Sequence, residues 1–346
     1  MTKYRLISLI ICVAIGFSIF EAKAQCFSST GNPIGGTANM GIMNKNVLRF
    51  NTFYKNSYSG RYFLGDKLDT GHGHISADYA VYNYVATMLA FGLTDRFAIE
   101  ADAGYFINKT KVFASPIRGN GFSNIVLAGK YNMYYNSAKR FEITGKLGGK
   151  IPLRSKEQIV RQGNAIVSNH PDVQPSLGNY GLVGQIYLIK ETPFTGMRYF
   201  LMLNYEHNFQ SKDGFFNMKH YKFGHSLNTS FFVSKHLHMP PALEWLTEHW
   251  TVILQVRHEH KWQNQLRSQL NPGADEAIYG DWEKTKNSGS DVFFISPQIN
   301  YTIAEKWNLS LMADFPLYQR YNGIQLATDY AFSFNVSWDI DFNKYD

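Results

Sequence analysis

Eleven histidines are the first residues in this 346-residue chain to weigh for chemistry. His258-Glu259-His260 sets two imidazoles on one face of an extended segment, and His207, His220 and His225 lie on the two segments before it. Imidazole suits zinc and copper, so a cluster of these rings is a candidate ligand set. Parity turns the rings another way. His258 and His260 share a face with Val252, Leu254 and Val256, and His207 and His225 follow the same parity. Rings on an apolar outer face read as a polar belt at the level of lipid headgroups. His72-Gly73-His74 offers two ligands with no third in view. No metal and no other cofactor is assigned.

The second set of reactive side chains is charged and falls on the opposite parity. Glu100, Asp102, Lys130, Glu142, Lys146, Lys150, Glu206, Arg257, Glu259 and Asp339 belong to it, with Asp314 and Asp341. These residues alternate with apolar ones. Phe97, Ile99, Ala101, Ala103, Tyr105 and Ile107 oppose Glu100, Asp102 and Asn108, and Phe141, Ile143, Leu147 and Ile151 oppose Glu142, Thr144, Lys146 and Lys150. Trp250, Val252, Leu254 and Val256 stand against Thr251, Gln255, Arg257 and Glu259. The last segment is cleanest, with Phe332, Phe334, Val336, Trp338, Ile340 and Phe342 facing away from Ser333, Asn335, Ser337, Asp339 and Asp341.

Period-two alternation marks strands. Soluble sandwich strands average about five or six residues. These segments run to about ten or more, the length that crosses a bilayer at a tilt. In lipid only a closed barrel leaves no strand edge unpaired. The aromatic content of 16%, with only 18% charged residues, suits rings gathered at the two headgroup levels. A Lys or Arg turned to lipid near the midplane costs roughly 2–4 kcal/mol. The charged parity therefore looks into enclosed water, where it sets a transverse field and tunes selectivity.

About twelve strands are expected, in an all-β, antiparallel, up-and-down transmembrane barrel. They lie near 46–58, 77–93, 96–109, 121–135, 140–153, 174–190, 197–210, 218–236, 248–262, 290–304, 307–319 and 326–342. Bacterial barrels join strands by short periplasmic turns and longer outer loops. Thr94-Asp95, Asn136 to Lys139, Glu191 to Gly196 and Ala304 to Lys306 are the short kind. The stretches 59–76, 110–120, 154–173 and 263–289 are the long kind, and His236 to Glu248, with Pro240-Pro241, is a longer periplasmic connection. Twelve strands enclose a bore between side-chain-filled small barrels and open porins.

The N-terminus sets the compartment. Lys3 and Arg5 precede the apolar run Leu6 to Phe20, and Ala22-Lys23-Ala24 supplies small residues where a signal peptidase reads. The run is about 15 residues, short of the roughly 20 of a membrane helix. Residues 1–24 thus read as a cleaved signal peptide, 25–45 as an N-terminal periplasmic tail or lumen plug, and 46–346 as the barrel. Two cysteines, Cys12 and Cys26, exclude a disulfide scaffold and a Cys-based metal site. A net charge of +7 without basic runs argues against nucleic acid as a partner.

At this level the chain resembles a family. Phe91-Gly92-Leu93-Thr94-Asp95-Arg96-Phe97, followed by Gly121-Phe122-Ser123-Asn124-Ile125-Val126-Leu127-Ala128-Gly129-Lys130-Tyr131, is similar to the outer-membrane transporter-like barrels named after the meta-pathway of phenol degradation. Lys150-Ile151-Pro152, Phe315-Pro316-Leu317-Tyr318-Gln319 and Asn322-Gly323-Ile324-Gln325-Leu326 fit the same pattern. These barrels are distant relatives of fatty-acid and toluene transporters. The resemblance implies passive passage of small molecules, hydrophobic or aromatic ones included, across an outer membrane. Outer-membrane lipid and lipopolysaccharide, a small-molecule cargo and the barrel-assembly machinery during insertion are the partners it implies. Two other classes stay open: a structural or adhesive barrel acting through its outer loops, and an outer-membrane hydrolase. No Ser and His are placed to form a hydrolytic pair, so a non-enzyme is expected. Pro297 and Pro316 mark strand kinks where hydrophobic cargo would find a lateral opening.

Overall fold

Alternating segments become strands because one face can meet lipid while the other meets its own kind across a bore. The computed structural model describes residues 41–71, 77–112, 116–153, 159–162, 165–168, 173–176, 178–192, 195–211, 220–237, 249–267, 270, 278–303 and 306–344. The signal-peptide region 1–24, all but the end of 25–45, the His72 and His74 pair and Pro240-Pro241 lie outside the described residues.

Twelve long strands build the wall. In chain order they are β1 (Val47–Leu64), β2 (Tyr79–Gly92), β3 (Phe97–Val112), β4 (Pro116–Asn136), β5 (Phe141–Pro152) and β6 (Asn179–Thr192). The second half is β7 (Met197–Ser211), β8 (Ser226–His236), β9 (Trp250–Lys261), β10 (Ser290–Ile303), β11 (Trp307–Tyr321) and β12 (Ile324–Asp341). Each strand pairs antiparallel with its sequence neighbours. The sheet closes where β1 meets β12, in register from Val47↔Asp341 to Leu64↔Ile324. Closure removes the exposed edges, as a lipid environment demands.

The faces sort as the alternation requires. Leu127, Leu147, Val252, Leu254, Leu311 and Phe334 are exposed on the outside, while Asn51, Asn204, Ser230, Gln255 and Asn335 are buried on the inside. Aromatic rings gather at both ends of the outer wall. At the end where β1 begins and β12 ends, Trp307 stacks on Trp338 at 5.1 Å and Trp250 lies tilted against Tyr301 at 4.7 Å. At the other end, Tyr58 stacks between Tyr330 and Tyr79.

The connections depart from expectation at two outer stretches, and in one of them residues 59–64, expected as loop, carry β1 on to Leu64↔Ile324. The stretch 110–120 is ladder rather than loop: Lys109↔Gly119 through Val112↔Pro116 pair, so only 113–115 separate β3 from β4. Strand ends that rise out of lipid have no apolar face to keep, so alternation fades before the strand does. For the same reason short pieces pair above the wall. Lys67–Asp69 folds back on β1, Ile159–Gln162 pairs Ala165–Ser168, and Tyr221–Lys222, Gln265–Leu266 and Glu283–Lys284 form a small side ladder.

Candidate functional site: the lumen and its seam

The structure turns all ten charged residues singled out from the sequence toward the inside; Glu100, Lys130, Lys150, Glu206 and Arg257 are buried and the other five half-buried. The water expected around them is displaced. Each strand contributes an inward side chain that is buried: Lys55, Tyr84, Phe106, Val126, Lys150, Val183, Glu206, Ser230, Arg257, Ser296, Asp314 and Ser333 in strand order. A twelve-stranded bore is narrow enough for side chains from neighbouring and facing walls to meet, and they fill it as they fill smaller barrels.

Burial on that scale is tolerable only because charges are paired and hydrogen-bonded. Asp314 on β11 accepts from Lys55 Nζ of β1 at 2.7 Å, from Ser296 Oγ of β10 at 2.6 Å and from Arg257 Nη2 of β9 at 3.2 Å. Arg257 also meets Glu259 at 3.0 Å and lies over the Phe294 ring. On the facing wall, Glu100 of β3 holds Lys146 at 2.6 Å and Lys130 at 3.3 Å. The Lys130 ammonium sits 4.7 Å from the centroid of the Tyr187 ring. Lys150 bridges Glu206 and Asn208, and Asn179 donates to the same Asn208 oxygen at 2.8 Å. Nearer the end where β1 begins, Arg49 forks onto Asp339, and Glu142 accepts from the Ile42 amide at 3.1 Å. Asp102 also faces inward, half-buried on β3. Lys55, Ser296, Asn208 and Arg49 are partners that the sequence reading passed over; Lys55 carries the signal, since it shares parity with Asn51 and Ser57.

Above this charged layer, on the side of the long loops, apolar side chains gather among buried polar ones such as Lys109, Gln319 and Asp329. Phe63, Val292, Phe294, Tyr321 and Ala327 form one buried cluster, and Ala77, Ala80, Tyr82 and Leu326 form another beside it. We call the two together the collar. No sequence pattern announced it. Val292-Phe293-Phe294-Ile295 is apolar on both faces, so alternation is silent there.

The wall beside the collar is split. The ladder between β11 and β12 runs from Trp307↔Trp338 to Asp314↔Ala331 and stops. Beyond that point β11 stays on β10 up to Ser290↔Tyr321, and β12 stays on β1 up to Leu64↔Ile324. Both prolines noted in the sequence sit at interruptions. Pro316 precedes a bulge at Leu317, and Pro297 falls where the β10–β11 register skips from Ile295↔Phe315 to Gln298↔Met312. A residue without an N–H cannot extend a ladder on that side. Within the split, four consecutive residues of β12, Leu326 to Asp329, are buried, so this stretch is covered on both faces. Leu317, Tyr318 and Tyr330 stay exposed on the lipid side of the seam.

At the opposite mouth the chain entering β1 crosses the lumen. Met43 is buried against Val47, Ala90 and Ala98, and Ile42 reaches Glu142 on β5. Gly92 permits the crossing: a Cβ there would lie 1.9 Å from the Asn44 carbonyl oxygen.

His207, His225, His258 and His260 face outward. His207 and His225 stack at 4.2 Å, and His258 lies on the outward Phe293 ring at 4.3 Å. His258 and His260 share one oxygen of Asp291, at 3.3 and 2.6 Å. Among the described residues no group of three or more His, Cys, Asp or Glu side chains converges as metal ligands.

Neither a protein-family model nor a curated protein matches the sequence. Among solved structures, the COG4313 outer membrane channel from Pseudomonas putida F1 superposes with a TM-score of 0.63 at 10% identity, over 89% of this chain and 100% of that one. The fold is that of an outer-membrane barrel. The Ralstonia pickettii toluene transporter TbuX aligns at a TM-score of 0.41 and 8% identity, over 87% of this chain and 90% of that one. The translocator domain of the autotransporter NalP from Neisseria meningitidis reaches 0.42 at 8% identity, over 86% and 89%. The fold, the apolar outer belt and its aromatic rims place the protein in an outer membrane.

Proposed function

We propose that the protein is a passive outer-membrane conduit for small apolar molecules. Such a molecule leaves external water for the collar and passes sideways into the membrane between β11 and β12. One observation carries this reading: the lumen beneath the collar is closed by buried, paired charges, whereas the wall beside the collar lacks its ladder. An apolar solute gains about 25 cal/mol for each Å² it buries in the collar. It gains nothing by displacing the charged layer, whose separation from its partners is costly. No energy source is needed for movement down a gradient.

In this reading residues 1–24 are the export signal, and lipopolysaccharide and the barrel-assembly machinery are partners of the surface and of insertion. Residues 25–45 act as a plug rather than a free tail, a reading supported by the path of Gly41 to Asn44 across the mouth. The test is uptake by cells that carry the protein in an outer membrane. The initial rate for a radiolabelled monoaromatic rises over vector-only cells, while a sugar of similar size shows no rise. Equal gains for both solutes, or for neither, overturn the proposal.

A further inference from the structure

Five cations of the lower lumen each meet an acidic partner; the outer rim is different. Where β8, β9, β10 and β11 run out on the side of the long loops, a cavity of about 480 Å³ is lined by Lys222, Lys261, Lys284 and Arg320. His225 and His260 complete its basic side. Among the described residues none of the four fixed cations lies within 4.0 Å of a carboxylate. Among the described residues one carboxylate, Asp291, reaches the lining, and it is already engaged by His258 and His260. The lower lumen is the contrast: Lys55, Lys130, Lys146, Lys150 and Arg257 all have acidic partners within 3.3 Å.

Four fixed positive charges against one engaged negative charge, in a concave and wettable place, draw an anion. A phosphate group suits the set better than a single carboxylate. It brings close to two negative charges and three acceptor oxygens, which a guanidinium and several ammonium groups satisfy together. The volume is enough for the phosphate and a sugar-sized remainder. The position also matters. Trp262, exposed on the lipid-facing side, packs edge-on against His260 at 4.3 Å, so the basin straddles the mouth and the headgroup level.

We propose that this basin binds a phosphate group, carried either by a headgroup of the surrounding outer leaflet or by a free solute at the mouth. The inference is independent of the conduit reading, since it concerns the rim and neither the collar nor the seam.

The test uses the refolded full-length chain in two arms. In the first, equilibrium dialysis in neutral detergent measures binding of radiolabelled glucose 6-phosphate against unphosphorylated glucose. In the second, the barrel is placed in phosphatidylcholine nanodiscs doped with lipid A or with lipid A stripped of its phosphates, and lipid retained after detergent extraction is measured by native mass spectrometry. The wild-type chain is expected to bind the phosphorylated probe in at least one arm. Lys222→Gln, Lys261→Gln and Arg320→Gln combined are expected to weaken that binding about tenfold or more. Arg320→Gln alone, at an exposed side chain, is expected to weaken it about threefold and serves if the combined variant does not fold. Binding in the first arm only identifies a solute site, and in the second only a lipid site. No preference for phosphate in either arm, or a folded variant that binds as wild type does, overturns the proposal.

Discussion

Asp314→Asn removes one charge from the middle of the lumen while keeping its shape. The carboxylate is 2% exposed and is the common acceptor for Lys55, Arg257 and Ser296. An amide takes from the 3%-exposed Lys55 ammonium the carboxylate that sits 2.7 Å away, and from Arg257 one of its two acidic partners. Breaking a buried ion pair from one side costs about 3–5 kcal/mol. With a urea slope of about 3 kcal/mol/M for a chain of this size, the unfolding midpoint falls by about 1 M or somewhat more. Tryptophan fluorescence of the barrel refolded in liposomes reads that midpoint. Removing both charges with Lys55→Met and Asp314→Leu leaves the Arg257–Glu259 pair neutral. It is expected to return stability to within about 1 kcal/mol of wild type or above it. Were Asp314→Asn alone to change stability by less than about 0.5 kcal/mol, water would have to reach this carboxylate, and the packed lumen would be refuted.

Other substitutions probe the remaining links. Leu147→Arg, at the most exposed large apolar residue of β5, is expected to cost about 2–4 kcal/mol in liposome unfolding, while a cost near zero would mean that this face does not meet lipid. Gly92→Val drives a side chain into the Asn44 backbone, so a cysteine replacing Met43 should label with maleimide about tenfold faster in that background; unchanged labelling would mean the segment does not rest on Gly92. Ala327→Phe, at a fully buried collar position, is expected to slow monoaromatic uptake severalfold at a stability cost of about 1–3 kcal/mol, and unaltered uptake would remove the collar from the path.

Much of the architecture was legible because lipid enforces alternation. Phe332, Phe334 and Val336 had to face one way and Ser333, Asn335 and Ser337 the other, and the structure keeps that order along β12. The inward placement of Glu100, Lys130, Lys150 and Arg257 follows from the same parity. What parity does not encode is distance across a bore. Lys55 and Asp314 are far apart in sequence, and only closure of β1 on β12 brings them to 2.7 Å. The expectation of water around the charges failed for that reason: strand number bounds a diameter, but side-chain length decides whether the space stays open. The collar and the β3–β4 ladder were hidden for a different reason. Where a strand leaves the membrane or is apolar on both faces, as at Val292 to Ile295, the period that identifies it is gone. Pro297 and Pro316 were visible as breaks, and the structure shows which ladders they interrupt.

Steady current through the full-length protein in a planar bilayer tests the central claim most directly, because ions must use the bore and apolar solutes need not. The account expects current close to that of the bare bilayer from preparations that still raise monoaromatic uptake, and a rise in current when Asp314→Asn loosens the charged layer. A large ohmic conductance in the wild-type chain, scaling with bulk electrolyte and unaltered by that substitution, would contradict it.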